Sequence, residues 1–273
     1  MSGFGSEGPG SKRPAFDQVA QAMGGGMSIT GAGPESMVRA GIPIGDLGGG
    51  MFGVMGILAA LYERERSGLG QHVDISMLDC QISMLNYMAT MHFLSEEDPY
   101  PIGNSHFVHV PYNTFRCSDG SIVIAVITDN FWTNLKGVLN CADFENSKYD
   151  TQPGRWEDRD MINARLNELL SVNSCAYWLA LFEAQRIPCA PVNTLSQALA
   201  DTQVLHRNMV VDLKHPNGNS TKGPGNPIKL SRSSDEVFTA APTLGQHTDE
   251  VMTQLLNLSV HQIQQMKDQG IIK

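Results

Sequence analysis

The 273-residue sequence predicts an α/β protein, and three features carry that expectation. A long, glycine-studded apolar run stands beside a short alternating segment rich in β-branched residues. A second pair of alternating segments is joined by an Asp-Gly turn. Around and after both lie stretches with apolar residues at helical spacing. Hydrophobic residues make up 41% of the chain and charged residues 17%, the balance of a folded protein with a real core rather than of a disordered one.

Taken in order, the first 35 residues are rich in Gly, Ser and Pro, with one amphipathic candidate at Phe16–Met23 that Gly24-Gly25-Gly26 ends. A buried helix is expected from about Leu47 to Arg66, closed by Ser67-Gly68. Its apolar part, Leu47 to Tyr62, carries five glycines and is shorter than a bilayer span, so it reads as a core helix and not as a membrane anchor. His72-Val73-Asp74-Ile75-Ser76 alternates and reads as a short strand. Met77 to about Leu94 reads as a second long helix, with Met77, Cys80, Met84, Tyr87, Met88 and Met91 on its core side.

The character changes near Glu97–Gly103, where a domain boundary is expected. Tyr112–Cys117, the turn Ser118-Asp119-Gly120 and Ile122–Ile127 read as a β-hairpin. Helices are expected at Phe131–Leu139, Arg159–Leu170 and Ala176–Glu183. A strand pair follows around Val210–Lys214 and Gly223–Leu230, and two helices, Gln246–Leu256 and Val260–Lys267, end the chain.

Charge and cysteine usage exclude several classes of function. A net charge of −9 with no Lys/Arg cluster argues against nucleic-acid binding. Five scattered cysteines without a CxxC pair read as reduced thiols, with neither a disulfide framework nor a zinc site. The N-terminus has no basic-then-apolar secretory pattern and is not Arg-rich, so a cytoplasmic protein is expected, with mitochondria the alternative for a eukaryotic source. Gly3-Phe4-Gly5-Ser6-Glu7-Gly8 matches GxGxxG literally, but that motif needs a strand before it and a helix after it, and neither is in place. His106 and His109 lack a third ligand at a familiar spacing and read as loop histidines. Cys189, between prolines, reads as a buried thiol.

The informative carboxylate is Asp46, in Gly45-Asp46-Leu47-Gly48-Gly49-Gly50. It sits at the mouth of the apolar helix, where free N–H groups and the helix dipole favour an anion and where small residues let a large ligand approach the backbone. Asp46 is therefore either a nucleophile or simply the N-cap of its helix. The N–H groups around Gly48–Gly50 are candidate oxyanion donors.

Six segments in sequence order carry a resemblance. They are Ser2-Gly3-Phe4-Gly5 through Arg13-Pro14-Ala15-Phe16-Asp17; Met27-Ser28-Ile29-Thr30-Gly31; Gly45-Asp46; Gly56 to Gln71; Ile187-Pro188-Cys189-Ala190-Pro191-Val192; and Leu244-Gly245-Gln246-His247-Thr248. Together they resemble the family III CoA-transferases, which include formyl-CoA, carnitine-CoA and dicarboxylate CoA-transferases and α-methylacyl-CoA racemase. The resemblance implies a Rossmann-like CoA domain plus a smaller α+β domain, in two chains threaded through each other as an interlocked homodimer. On this reading residues 1–97 are the later part of the CoA domain with a linker helix, its first strands absent. Residues 98–224 form the small domain, and 225–273 return to the large one. Members of the family carry a further N-terminal segment, so an N-terminally truncated chain, or one completed by a separate polypeptide, is expected.

The same resemblance places Asp46 on the catalytic aspartate, Met77 near the thioester end of CoA and Phe16 at an active-site aromatic position, with Gly48 and Gly49 at the CoA-binding helix start. It implies CoA transfer from an acyl-CoA to a carboxylic acid through an aspartyl-CoA thioester on Asp46, with the coenzyme A thioester as substrate and no permanently bound cofactor, metal or membrane contact. Val110-Pro111-Tyr112-Asn113-Thr114-Phe115 is similar to the dicarboxylate, succinyl-CoA type of branch. Two alternatives stand beside it. A 2-methylacyl-CoA racemase would need a His about where Phe16 stands, and Phe cannot titrate. An inactive chain that folds only as a partner subunit is the other.

Overall fold

The computed structural model describes residues 1–215, 217–233 and 237–272. Its helices and strands are mixed along the chain, as an α/β protein requires. They fall into two compact units, Met1–Val192 and the residues from Asn193 onward. The three-part division that the resemblance implies places its boundaries elsewhere, at 97 and 224.

The first unit opens with α1 (Asp17–Met23), α2 (Ile44–Ser67), α3 (Met77–Met84) and α4 (Tyr87–Ser95). Helix α2 ends where the sequence says it should: Gly68 adopts φ 76° and its N–H bonds the Arg64 carbonyl, a conformation that costs a side chain but not glycine. Ser76 caps α3 by accepting from the Asp79 N–H at 3.2 Å. The single helix expected over 77–94 is broken instead. Asn86 takes φ 51° and ψ −123° between α3 and α4, turning the chain without the Gly or Pro that would have announced it.

The expected strand at 72–76 is extended but forms only an isolated parallel bridge, Ser2 with Ser76. The Ser2 N–H bonds the Ile75 carbonyl, and the Ser2 carbonyl accepts from the Met77 N–H, both at 2.9 Å. A strand needs a ladder, and here it finds one residue. The GxGxxG segment is thus a loop laid on residues 74–78, pinned where Asp74 accepts from the Ser6 N–H and hydroxyl at 2.8 and 2.7 Å. Those bonds hold the Asp74 carboxyl below the usual carboxylate range.

The larger correction concerns α2. The helix runs for 24 residues, so by length and composition it is apolar enough to cross a membrane, and the argument from a short apolar run fails. Nor is it a buried helix. Only 17% of its most apolar window is buried, and Met51, Val54, Ile57 and Leu58 are all more than half exposed. Only one side is covered, by α1 and α3. The glycines explain how: Gly48 and Gly49 are buried, and a Cβ added to them would lie 2.6 Å from Met84 Cε and 2.7 Å from Met1 Sδ. They let α3 and the N-terminus approach the α2 backbone.

Next come β1 (Tyr112–Arg116), β2 (Ser121–Ala125), α5 (Asp129–Leu139), α6 (Gln152–Glu157), α7 (Arg159–Leu170), α8 (Cys175–Ala184) and β3 (Cys189–Pro191). The expected hairpin forms, with Arg116 opposite Ser121 around a four-residue loop, and β2 also pairs antiparallel with β3. The three-residue strand β3 carries no alternation to read and ends in a proline, which suits an edge. Helix α7 puts Ile162, Leu166 and Leu170 on one face, i, i+4 and i+8, all fully buried. These join Phe115, Ile122, Ile124, Trp132, Phe144 and Phe182 in the main core, whose buried members among the described residues run from Val110 to Ile187. Arg155, fully buried, stitches its edge by donating to the Val110 and Tyr149 carbonyls and to Asp129, each at 2.8 Å.

The second unit contains α9 (Leu195–Ala200), α10 (Thr202–His206), β4 (Val210–Lys214), β5 (Ser220–Pro224), α11 (Thr248–Gln254) and α12 (Val260–Asp268). Capping boxes start α9 (Thr194 with Gln197) and α12 (Ser259 with Gln262). Strands β4 and β5 pair antiparallel, and β5 lies a few residues before the expected Gly223–Leu230. Both sheets among the described residues are antiparallel. All five cysteines are unpaired, as their spacing implied, and Cys189 is half-buried.

Candidate active site

Asp46 is exposed, in the first turn of α2, but it is not the N-cap. Pro43 occupies that position and has no side chain with which to cap. The capping group comes from α1. Asp17 Oδ1 accepts from the Gly45 N–H at 2.8 Å and from the Asp46 N–H at 3.4 Å, while the Leu47 N–H bonds the Pro43 carbonyl at 3.0 Å. The first-turn donors of α2 are therefore taken, and those of Gly48, Gly49 and Gly50 lie inside the helical ladder, each directed at the carbonyl four residues back. The expected oxyanion donors around Gly48–Gly50 are unavailable while this turn stays helical.

With its backbone held by another residue, Asp46 has a side chain with no capping duty. The Asp46 face of α2 continues to Gly50 and Gly53, one and two turns on. A Cβ at either would meet no atom within 4 Å, whereas at Gly48 and Gly49 it would strike methionines. The open approach to Asp46 is thus along Gly50 and Gly53. Sequence reasoning chose the neighbouring pair, because a run of three glycines does not show which of them face inward.

Of the other expected site residues, Phe16 directly precedes the residue that bonds the start of α2. It is the N-cap of α1, its side chain is 82% exposed, and the next residue holds the Asp46 backbone. Met77 begins α3 and is buried, its Cγ 3.5 Å from where a Gly49 Cβ would stand. It packs under α2 on the side that Gly48 and Gly49 occupy. Phe16 and Asp46 are both exposed, and Met77 lies on the packed side.

A cavity of about 370 Å³ lies elsewhere in this unit, lined by Tyr100, His106, His109, Tyr112, Trp156 and Arg159 among others. His106 stacks on Tyr112 at 5.0 Å and its Nδ1 accepts from the Val108 N–H at 2.9 Å, so its proton sits on Nε2. Burial, and then the neighbouring His109, lower its pKa. These are the two loop histidines, and Asp46 is not in the cavity wall.

An exposed carboxylate in the first turn of a glycine-rich helix, braced from α1, is the arrangement on which comparison with known proteins bears. The model of CoA-transferase family III matches residues 1–248. The chain belongs to that family. Among its relatives, the mouse protein named succinyl-CoA:glutarate CoA-transferase is 30% identical across all of this chain, which spans 63% of it. The Streptomyces coelicolor formyl-CoA:oxalate CoA-transferase is 31% identical, and the chain covers 70% of it. A crystal structure of a CAIB/BAIF family protein from Brucella suis superposes with a TM-score of 0.81 at 30% identity, over 93% of this chain and 66% of that one. The chain thus spans about three-fifths of the length of curated family III relatives such as the mouse protein.

Proposed function

We propose that this chain carries the nucleophile of a CoA-transferase that moves CoA from a dicarboxylic acyl-CoA, of the succinyl-CoA type, to a carboxylic acid. The observation that carries the reading is the exposed Asp46 carboxylate, freed from capping and bordered by the open faces of Gly50 and Gly53. Family membership supports the reaction class. The names of the mouse relative and of the Agrobacterium fabrum succinate–glutarate CoA-transferase, 30% identical over 93% of this chain, support the choice of dicarboxylates.

In this reaction an Asp46 oxygen attacks the thioester carbonyl, the C–S bond breaks, and CoA leaves as a thiolate from a mixed anhydride. The thiolate then attacks the Asp46 carbonyl, releasing the first acid as its carboxylate and leaving an aspartyl-CoA thioester. The second acid attacks that thioester, expels the thiolate, and is itself attacked at its own carbonyl, which regenerates the Asp46 carboxylate. No net proton moves, so no general base is required. Overall one CoA thioester is exchanged for another, and the exchange is split into covalent steps, the logic of covalent catalysis. Phe16 is read as the aromatic residue near the acyl end, and the open side of α2 along Gly50 and Gly53 as the approach for CoA, with Gly48, Gly49 and Met77 supporting it from the packed side. We take the chain to work within a Rossmann-like CoA domain and an interlocked homodimer. The exposed apolar side chains of α2 support an assembly that covers them.

The test is transfer itself. With succinyl-CoA and glutarate the active protein is expected to form glutaryl-CoA, and Asp46→Ala to lose that activity by at least about a thousandfold, the scale on which removal of a covalent nucleophile acts. Activity within tenfold of wild type would exclude Asp46. The racemase alternative is read in the same experiment run in D₂O with a 2-methylacyl-CoA. Because Phe16 cannot carry a proton, no α-deuterium is expected to wash in at a rate near turnover.

A further inference from the structure

We infer that Asp17 and Gln21 form a brace that sets the direction of the Asp46 carboxylate, so that both are positioning residues of the transfer reaction; the inference rests on Asp46 being the nucleophile. The two ends of the brace are fixed differently. Asp17 Oδ1 reaches across from α1 to the Gly45 and Asp46 N–H groups, while Asp17 Oδ2 accepts from Gln21 Nε2 at 2.8 Å. Gln21 is 2% exposed, and its other end, Oε1, accepts from the Ala40 N–H at 2.9 Å. One short chain of bonds thus ties together α1, the segment entering α2 and the first turn of α2.

The approach is as close as packing allows. A Cβ at Gly45 would stand 3.0 Å from Asp17 Oδ1, 3.2 Å from the Asp17 carbonyl oxygen and 3.4 Å from Ala20 Cβ. Only a residue without a side chain lets the carboxylate come so near the helix start. Pro43 cannot cap, so the orientation of this turn rests on Asp17. Asp46 has no side-chain partner that would orient it independently among the described residues. Its direction follows its backbone, and its backbone follows Asp17. Displacing a reacting group by about 1 Å can cost on the order of a hundredfold in rate, which is the scale expected here.

The test compares Asp17→Ala, Asp17→Asn and Gln21→Leu with wild type and with Asp46→Ala in the active enzyme, reading kcat, KM for the acyl-CoA, and amide hydrogen exchange over residues 44–47. Asp17→Ala is expected to lower kcat about a hundredfold while KM stays within about twofold, because binding contacts are untouched. Asp17→Asn keeps one oxygen that can accept both N–H groups but turns its NH2 toward Gln21, and is expected to recover kcat to within about tenfold of wild type, the level of Gln21→Leu. Gln21→Leu keeps the volume but frees Asp17, and is expected to cost about tenfold in kcat with faster exchange at Gly45 and Asp46. Wild-type kcat and exchange in Gln21→Leu would overturn the brace even if Asp17→Ala failed to fold. So would a loss in Asp17→Asn as large as that in Asp17→Ala, which would point to charge and not to the hydrogen bonds. Should Asp46→Ala remain active, the reading of Asp46 as nucleophile falls. The exchange data then still decide whether the brace holds the turn.

Discussion

The two parts of the first unit are held together by different means. From Val110 to Ile187 the chain builds a core of aromatic and branched side chains, with Trp132, Phe115, Phe144 and Phe182 fully buried. Before residue 96 the buried hydrophobic set is small, with Ala20, Met77, Cys80 and Met88, and the 24-residue helix α2 keeps most of its apolar surface exposed. What fixes the Asp46 region is polar and local: Asp17 on the α2 turn, Gln21 on Asp17, and Ser6 on Asp74. Hydrophobic burial resists unfolding but is non-directional, whereas hydrogen bonds to named backbone groups set an orientation. The scaffold is stabilised in one region and the proposed nucleophile is aimed in the other.

Substitutions in the two regions should therefore behave differently. Trp132→Ala is expected to cost about 3–5 kcal/mol of unfolding free energy, since it empties a fully buried site between Phe144 and the Arg155 guanidinium. Chemical denaturation measures this, and a loss below about 1 kcal/mol would break the contrast.

A smaller, pH-dependent effect is expected at Asp158, whose carboxyl the bonds from Lys148 and then Tyr149 hold below the usual carboxylate range. A folded value lower than the unfolded one means that the stabilisation is present above the unfolded pKa of about 3.9 and is lost as pH falls through the folded value. Asp158→Asn should lower stability modestly at neutral pH, where the stabilisation is fully present, and flatten the curve below about pH 4, where the two proteins converge. A curve unchanged at acid pH contradicts the assignment.

The smallest effect on folding belongs to Leu58→Ser on α2. At 60% exposure Leu58 should matter by no more than about 0.5 kcal/mol to the intramolecular fold, and act instead on association, read by sedimentation of a dilution series. A folding loss above about 1.5 kcal/mol with association unchanged would mean that this face packs within the chain itself.

Much of this was legible in the sequence. Helix α7 begins and ends at the expected residues because a full apolar face recurs at i+4 and a change of character bounds it. Gly68 ends α2 as expected because left-handed backbone selects glycine. That Asp46 stands exposed in the first turn of its helix was also legible. Its environment was not. The residue that caps its helix lies 29 positions earlier, a pairing that no local pattern announces. The break at Asn86 uses a residue that tolerates positive φ without signalling it. The exposure of α2 was hidden because composition reports how apolar a helix is, not what covers it.

The central claim, that the Asp46 carboxylate becomes covalently linked during transfer, is tested most directly by peptide mapping. The protein is incubated with succinyl-CoA and no acceptor acid, quenched with hydroxylamine, digested and analysed by mass spectrometry. The account predicts a hydroxamate on Asp46 in the tryptic Ala40–Arg64 peptide, dependent on the acyl-CoA and absent from Asp46→Asn. Full transfer activity with an unmodified Asp46 peptide, or with the hydroxamate on any other carboxylate, would contradict it.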